Sequence, residues 1–476
     1  MKRWIAGALA LSLIWAGAAS AEPAKVKIGQ GVLVGEQAGG IASFRGVPFA
    51  AAPVGDLRWK PPQPAPHWSG ERAASAYSAN CMQRTRPGGA KPSEDCLYLN
   101  VQAPAGAKGA PVMVWIHGGS NTGGSGAMYD SPAFAKDGVV MVTINYRLGP
   151  FGFFAHPAIR KAAGANEPLA DYSLMDQLAA LKWVQANIKA FGGDPKRVTV
   201  FGESAGAIDI YALLGLKGAR GLFSQAIVES NITWGDSAPL AKAEADGQAL
   251  AVRAGASPAA TLAELKAIRA EKLATAQEGA LFPIVDGRLM SESSLQAMAN
   301  GHTLDVPLIV GSNSWEAWLR QPLKGQDAVD WTNSQGGAPA RFIAAKSAGG
   351  KPAWLYFFSY VATEKRSPDN QGAPHAGELY YVFDGQLMPP LSTPNPQNPV
   401  SGPAHPSDED KAMAATVHAC WVSFAKTGTP RCGTAAWPTY DPKTDQLMEF
   451  GSPSAVRTHF RKAALDAAQA AEPGAR

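Results

Sequence analysis

Charge is scarce in this chain. Only 17% of its 476 residues are charged, 43 Lys and Arg stand against 39 Asp and Glu, and the formal net charge is +4. No stretch gathers basic residues densely enough to neutralise a row of phosphates, so a nucleic-acid partner is not indicated. Beyond the N-terminus no apolar run approaches the ~20 residues a membrane-spanning helix needs. Cysteine is limited to four residues, with no C-x-x-C and no closely paired histidines, so the spacing of structural zinc sites is missing. No internal repeat is visible. Apolar residues make up 46% of the chain, enough for a large core.

The N-terminus reads as an export leader. Lys2 and Arg3 precede an apolar run from Trp4 to Ala16, and Ala19-Ser20-Ala21 has the small residues of a cleavage site. Residues 1–21 are therefore assigned to a signal peptide and 22–476 to one folded domain; an uncleaved anchor is the competing reading, for which the apolar stretch is short. The mature protein is expected to be soluble, in a periplasm or outside the cell, without stable membrane insertion. Four cysteines suit that oxidising address. Three pairings are possible, and Cys81 with Cys96 and Cys420 with Cys432 is favoured because each closes a short loop.

Hydrophobic patterning predicts alternating strands and helices. Lys25 to Val34 and Gly40 to Arg45 read as an edge hairpin, and Phe44 to Trp59 as a loop punctuated by Pro and Gly. Val112 to Ile116 and Val139 to Tyr146 are continuous apolar runs, as in strands buried on both faces of a parallel sheet. A helix is predicted over about Ser173 to Phe191, with Leu174, Leu178, Leu181, Val184 and Ile188 on one stripe. Arg197 to Phe201, Phe223 to Ser230, Val306 to Gly311 and Ala353 to Tyr360 are further strands, and Trp234 to about Ala280 a helical, Ala-rich stretch. Residues 384–407 read as a Pro-rich surface loop. Ser407 caps a helix running to about Lys426, where Gly428 ends it. Strand, helix, strand, helix in this order is the doubly wound α/β pattern: a large, mostly parallel sheet flanked by helices.

Chemistry gathers where strands end. Gly202-Glu203-Ser204-Ala205-Gly206 lies between a β-branched run and an apolar helix, the context of a nucleophile elbow. His117-Gly118-Gly119-Ser120 follows one buried strand, Glu316 another, and His375 lies in Gly372-Ala373-Pro374-His375-Ala376-Gly377-Glu378-Leu379. The chain order of nucleophile, acid and histidine is that of α/β-hydrolases. With Phe44 to Trp59, Glu94 to Val101, Asn145 to Gly149, Asp176-Gln177, Val285-Asp286-Gly287 and Trp421 to Trp437, these motifs resemble those of the type-B carboxylesterases, the family that holds cholinesterases and para-nitrobenzyl esterases.

The resemblance implies an α/β-hydrolase fold with an N-terminal hairpin and helical insertions around the active site. It implies a serine carboxylic ester hydrolase working through an acyl-enzyme on a small-molecule ester and water, without metal or organic cofactor. Ser204 would be the nucleophile, His375 the base and Glu316 the residue orienting it, with Asp286 and Asp305 as lesser candidates for the acid. Backbone amides of Gly119, Ser120 and Ala205 would form the oxyanion hole. Gly118 would permit the turn, Glu203 and Ser230 would belong to a buried polar network, and His117 would pack or hydrogen-bond; His418 reads as a core residue. Trp234 falls near the usual acyl pocket, with core packing an equal alternative.

Three departures bear on substrate. Trp315-Glu316-Ala317 stands where Asp-Glu-Gly is usual, and Ser120 where a glycine or alanine is usual. Only 59 positions separate Glu316 from His375, where larger members carry a longer helical insertion, so a more open gorge and short-chain or moderately bulky esters are expected. Residues 82–95 contain no aromatic, so the cation–π device for choline is missing. A lipase, polyesterase or amidase of the same fold, or a non-catalytic binding member, are the alternative readings.

Overall fold

The computed structural model describes residues 22–85, 91–235, 237–387, 401–433 and 436–475. The expected leader and most of the Pro-rich loop lie outside the described residues. The strands in chain order are β1 (Glu22–Ile28), β2 (Gly31–Ala38), β3 (Ile41–Pro48), β4 (Glu71–Ala73), β5 (Tyr98–Pro104), β6 (Ala110–Ile116), β7 (Val140–Ile144), β8 (Gly193–Glu203), β9 (Gln225–Glu229), β10 (Ala238–Pro239), β11 (Ile284–Val285), β12 (Leu308–Asn313), β13 (Ala353–Phe358), β14 (Gln446–Phe450) and β15 (Ala455–Thr458). Thirteen form one sheet in the order β1-β2-β3-β5-β7-β6-β8-β9-β12-β13-β14-β15, with β4 beside β2; β10 and β11 pair separately.

The sheet is parallel from β7 through β14 and antiparallel at both ends, except that β4 lies parallel to β2. This is the α/β-hydrolase architecture. Its central strands follow from sequence: Val112, Met113, Val114, Trp115 and Ile116 are all fully buried, as a parallel strand covered on both faces requires. The two faces bury separate clusters, one around Val114, Leu181 and Ile210, the other around Trp115, Phe201 and Trp421.

Several elements differ from the sequence reading. The N-terminal hairpin is a three-stranded meander, β1-β2-β3, because Gly39 and Gly40 supply a second turn with positive φ. Phe44 to Pro48 belongs to β3 rather than to a loop: Gly46 is accommodated where the β3–β5 register shifts between Phe44 and Val47, and Pro48 is the last residue of the strand. The Trp234–Ala280 stretch divides into helices Leu240–Arg253, Leu262–Ala267 and Ala270–Ala276, the second started by a Thr261–Glu264 capping box. The helix Tyr172–Asn187 is buried nearly all round instead of along one stripe.

Its buried aspartate is matched by a cation. Asp176 receives the Arg147 guanidinium through Nε at 2.8 Å and Nη2 at 2.7 Å, tying this helix to the turn after β7. The helix Asp408–Thr427 begins with Ser407 in a capping box with Asp410 and ends at Gly428, φ +76°. Both disulfides are local, Cys81–Cys96 and Cys420–Cys432. Among the described residues no helix is long and apolar enough to cross a membrane.

Candidate active site

The turn after β8 is forced by close approach. A Cβ on Gly206 would stand 2.0 Å from the Ile116 carbonyl oxygen, and one on Gly202 2.5 Å from the same atom. Both positions therefore admit only glycine while β6 and β8 stay paired. Between them Ser204 adopts φ +56°, ψ −123°, a conformation strained for a residue with a side chain. Its amide donates to the Glu229 carbonyl at 3.0 Å, and the helix Ala205–Gly215 starts at the next residue. The helix N-terminus and the strained turn together hold Oγ at the carboxyl end of the sheet.

Sheet order brings the other pieces alongside. β12 and β13 pair in parallel, and the segment just past β12 bridges to the one before His375: the Trp315 amide donates to Ala373 O at 2.8 Å, and the Ala373 amide to Ser314 Oγ at 2.8 Å. Glu316 and His375 are thus held side by side although 59 residues apart. His375 Nε2 lies 2.8 Å from Ser204 Oγ, and His375 Nδ1 lies 2.5 Å from Glu316 Oε2. Glu316 is fully buried, and its Oε1 accepts the Asn313 amide at 2.7 Å. That second bond leaves Oε2 aimed at the imidazole.

Asp286 and Asp305 are occupied elsewhere. Asp286 accepts the amides of Leu169, Arg288, Leu289 and Met290, and Asp305 that of Lys351. His418 is buried, with Nδ1 on the Val382 carbonyl at 2.7 Å. Trp234 is buried in the core with its ring 5.9 Å from that of Phe342.

The loop after β6 runs against the serine. A Cβ on Gly118 would come within 2.7 Å of Glu203 O and 3.1 Å of Ser204 Cβ, so this glycine is demanded by contact. His117 stacks on Tyr146 at 4.4 Å between ring centres, and Nδ1 approaches the Gly118 carbonyl at 2.8 Å. Burial pulls its basicity down to about 4, against the Gly118 hydrogen bond, so it is neutral at ordinary pH. The amides of Gly119, Ser120 and Ala205 donate to no protein acceptor among the described residues. Three free donors beside a serine Oγ are suited to an oxyanion.

Three buried glutamates, Glu203, Glu316 and Glu378, act on the histidine, and a fourth, Glu229, acts on Glu203 and Glu378; the sequence reading singles out Glu203 and Glu316. Glu203 Oε1 lies 3.0 Å from His375 Nε2, close enough for strong attraction though without forming a hydrogen bond. Glu378 accepts from Ser230 Oγ at 3.2 Å and from Asn313 Nδ2. Glu229 accepts from Trp421 Nε1 at 2.9 Å. The signal for Glu378 was present in G-x-x-H-x-x-E-L; Glu229 stands beside Ser230 but gave no sign of its burial.

Burial and mutual crowding shift Glu203, Glu229, Glu378 and the histidine. Burial pushes Glu203 up to about 8 against the pull of His375, with Glu378 and Glu316 adding to the rise. Burial and then Glu316 raise Glu378 to about 7, and burial raises Glu229 well above its ordinary range. For His375 burial acts downward, but Glu203 and Glu316, with Glu378 behind them, outweigh it and lift the imidazole to about 9.

Comparison with known proteins agrees with the fold. Residues 22–335 and 331–468 match the sequence model described as "Carboxylesterase family". The fumonisin B1 esterase of Sphingopyxis macrogoltabida is 38% identical over 464 residues, covering 87% of this chain and 84% of that protein. The para-nitrobenzyl esterase of Bacillus subtilis (strain 168) is 33% identical over 489 residues, covering 89% and 94%. A solved PNB esterase structure superposes with a TM-score of 0.82 at 30% identity, covering 93% of this chain and 98% of that one.

Proposed function

Because the chain belongs to the carboxylesterase family and is a carboxylesterase, we propose that it hydrolyses esters by nucleophilic attack of Ser204, with His375 as general base and acid and Glu316 orienting the imidazole. The observation that carries this reading is the continuous relay from Ser204 Oγ to His375 Nε2 at 2.8 Å and from His375 Nδ1 to Glu316 Oε2 at 2.5 Å. A serine hydroxyl is a weak nucleophile until an adjacent base takes its proton.

In the acylation step Oγ bonds to the ester carbonyl carbon while its proton passes to His375 Nε2. The carbonyl oxygen becomes an oxyanion held by the amides of Gly119, Ser120 and Ala205. Collapse breaks the C–O bond to the alcohol, which takes the proton from Nε2. Water then repeats the sequence on the acyl-serine: it gives a proton to Nε2, attacks the carbonyl and releases the acid and Ser204. Glu316, accepting from Nδ1, holds the tautomer whose Nε2 is free to accept and stabilises the imidazolium between steps.

Short-chain or moderately bulky esters are the proposed substrates. The short span between Glu316 and His375 supports an open approach, and the names of the two relatives, fumonisin B1 esterase and para-nitrobenzyl esterase, support a screen that includes fumonisin B1 and para-nitrobenzyl esters. The two disulfides are compatible with a periplasmic or secreted protein. Saturable hydrolysis of nitrophenyl acetate and butyrate is the expected result, with Ser204→Ala lower in kcat by on the order of a million-fold. Turnover by Ser204→Ala equal to that of the parent would overturn the assignment.

A further inference from the structure

Asp209 lies inside the apolar helix Ala205–Gly215 and is fully buried, yet among the described residues no cation meets it. Its partners are two amides: Asn121 Nδ2 donates to Oδ1 at 3.1 Å, and Gln177 Nε2 to Oδ2 at 2.5 Å. Burial pushes the Asp209 carboxyl up to about 7, opposed by these two donors. Asn121 is itself fully buried, next to Ser120, and both residues hold left-handed backbone, φ +58° and +59°. The segment is pinned further, and Tyr146 Oη donates to Asn121 Oδ1 at 3.4 Å. The Asn121 carbonyl accepts from the Gly149 amide at 2.6 Å, the Ser120 carbonyl from the Leu281 amide at 3.1 Å, and Asn121 Nδ2 also reaches the Leu281 carbonyl at 3.1 Å.

Two neighbouring left-handed residues are unfavourable and persist only where surroundings hold them. Here the hold comes from the helix that begins at the nucleophile: Asp209 sits five residues, about a turn and a half, beyond Ser204. We propose that Asn121 and Asp209 are positioning residues, a clamp that fixes the Gly118–Thr122 loop to the nucleophile helix so that the amides of Gly119 and Ser120 stay aimed at the ester oxygen. The proposal rests on the esterase reading for its effect on rate, while the clamp itself is a statement about the loop.

A misplaced donor is costly: removing one oxyanion contact lowers turnover by about 100-fold to 1,000-fold, and a shift of about 1 Å by about 100-fold. Asn121→Asp sets carboxyl against carboxyl while keeping a residue that tolerates left-handed backbone. It is expected to lower kcat by about 10- to 100-fold with KM within about threefold, and to weaken binding of an aryl trifluoromethyl ketone in proportion to kcat/KM. The double variant Asn121→Asp with Asp209→Asn restores an amide–carboxyl pair and should recover at least about fivefold of that loss. Amide hydrogen exchange over Gly119–Thr122 should quicken in Asn121→Asp and slow again in the double variant.

Asp209→Asn alone is gentler, because Gln177 Oε1 has no partner and can turn to accept. It should lower kcat about threefold to tenfold with slightly faster exchange, and it carries the test if Asn121→Asp does not fold. A folded Asn121→Asp with kcat within about twofold of the parent and unchanged exchange overturns the clamp, as does a double variant no better than the single. If Ser204→Ala matches the parent in turnover, the esterase reading falls instead, and the exchange measurement still decides the clamp.

Discussion

Replacing Glu203 by glutamine should move the acid limb of the pH–rate profile downward. Glu203 Oε1 and His375 Nε2 are 3.0 Å apart, with 4% and 5% of their side chains exposed, so water screens the pair little. Two unit charges at that separation attract by about 5 kcal/mol at an effective dielectric constant of about 20, equivalent to about four pH units. That is a ceiling, since Glu203 retains its proton up to about pH 8 and the two groups release protons as a pair. A shift of roughly 1–3 pH units is therefore expected.

The sign follows from the role of the base. In the proposed mechanism only neutral His375 accepts the Ser204 proton, so an imidazole raised to about 9 pushes the acid limb of kcat/KM above the ordinary value of 6.5. Glu203→Gln removes the first of the carboxylates that raise it, while Glu316 remains, so the limb should fall without dropping far below about 6.5. The assay is kcat/KM for a nitrophenyl ester from pH 5 to 10, at constant ionic strength, with the melting temperature of the variant checked. A folded variant whose limb stays within about 0.3 pH unit of the parent, or rises, would refute the electrostatic account.

Glu316→Gln, which presents an amide to Nδ1 and favours the wrong tautomer, should lower kcat about 10,000-fold with little change in KM; a loss under tenfold would place the orienting charge elsewhere. Gly118→Ala should fold yet lower kcat, because its methyl presses on Glu203 O and Ser204 Cβ; a parent-like rate would mean that the loop yields freely. Arg147→Met should cost about 3–5 kcal/mol in denaturant unfolding by leaving buried Asp176 unpaired. Opening the Cys81–Cys96 link by a double alanine substitution should cost about 3 kcal/mol for a loop of this size, read as a lower denaturation midpoint.

Much of this was legible in the chain because it depends on local rules. The buried strands announced themselves as unbroken apolar runs, the elbow as two glycines around Ser204, and the helix from Asp408 by its cap. Boundaries were less legible: Gly46 and Pro48 read as a loop because a strand that shifts register can carry residues that local propensity assigns to turns. Glu378 was in plain view within a motif, but its burial against Ser230 and Asn313 follows from strand order. Asp209 carried a faint sign, a charge inside an apolar helix, which says that a partner must exist without saying which residue it is.

The sequence by itself determined the class of the protein and pointed to its candidate reactive groups, since each motif is a short stretch whose spacing expresses local backbone geometry. Only the tertiary structure decided how those groups act together. Strand order β6-β8-β9-β12-β13 sets side by side residues that lie tens to hundreds of positions apart. The relay from Ser204 to Glu316, the crowding that lifts His375 and the link between Asn121 and Asp209 all arise there. They depend on distances of about 3 Å and on exclusion of water, and neither is encoded in any single stretch of chain.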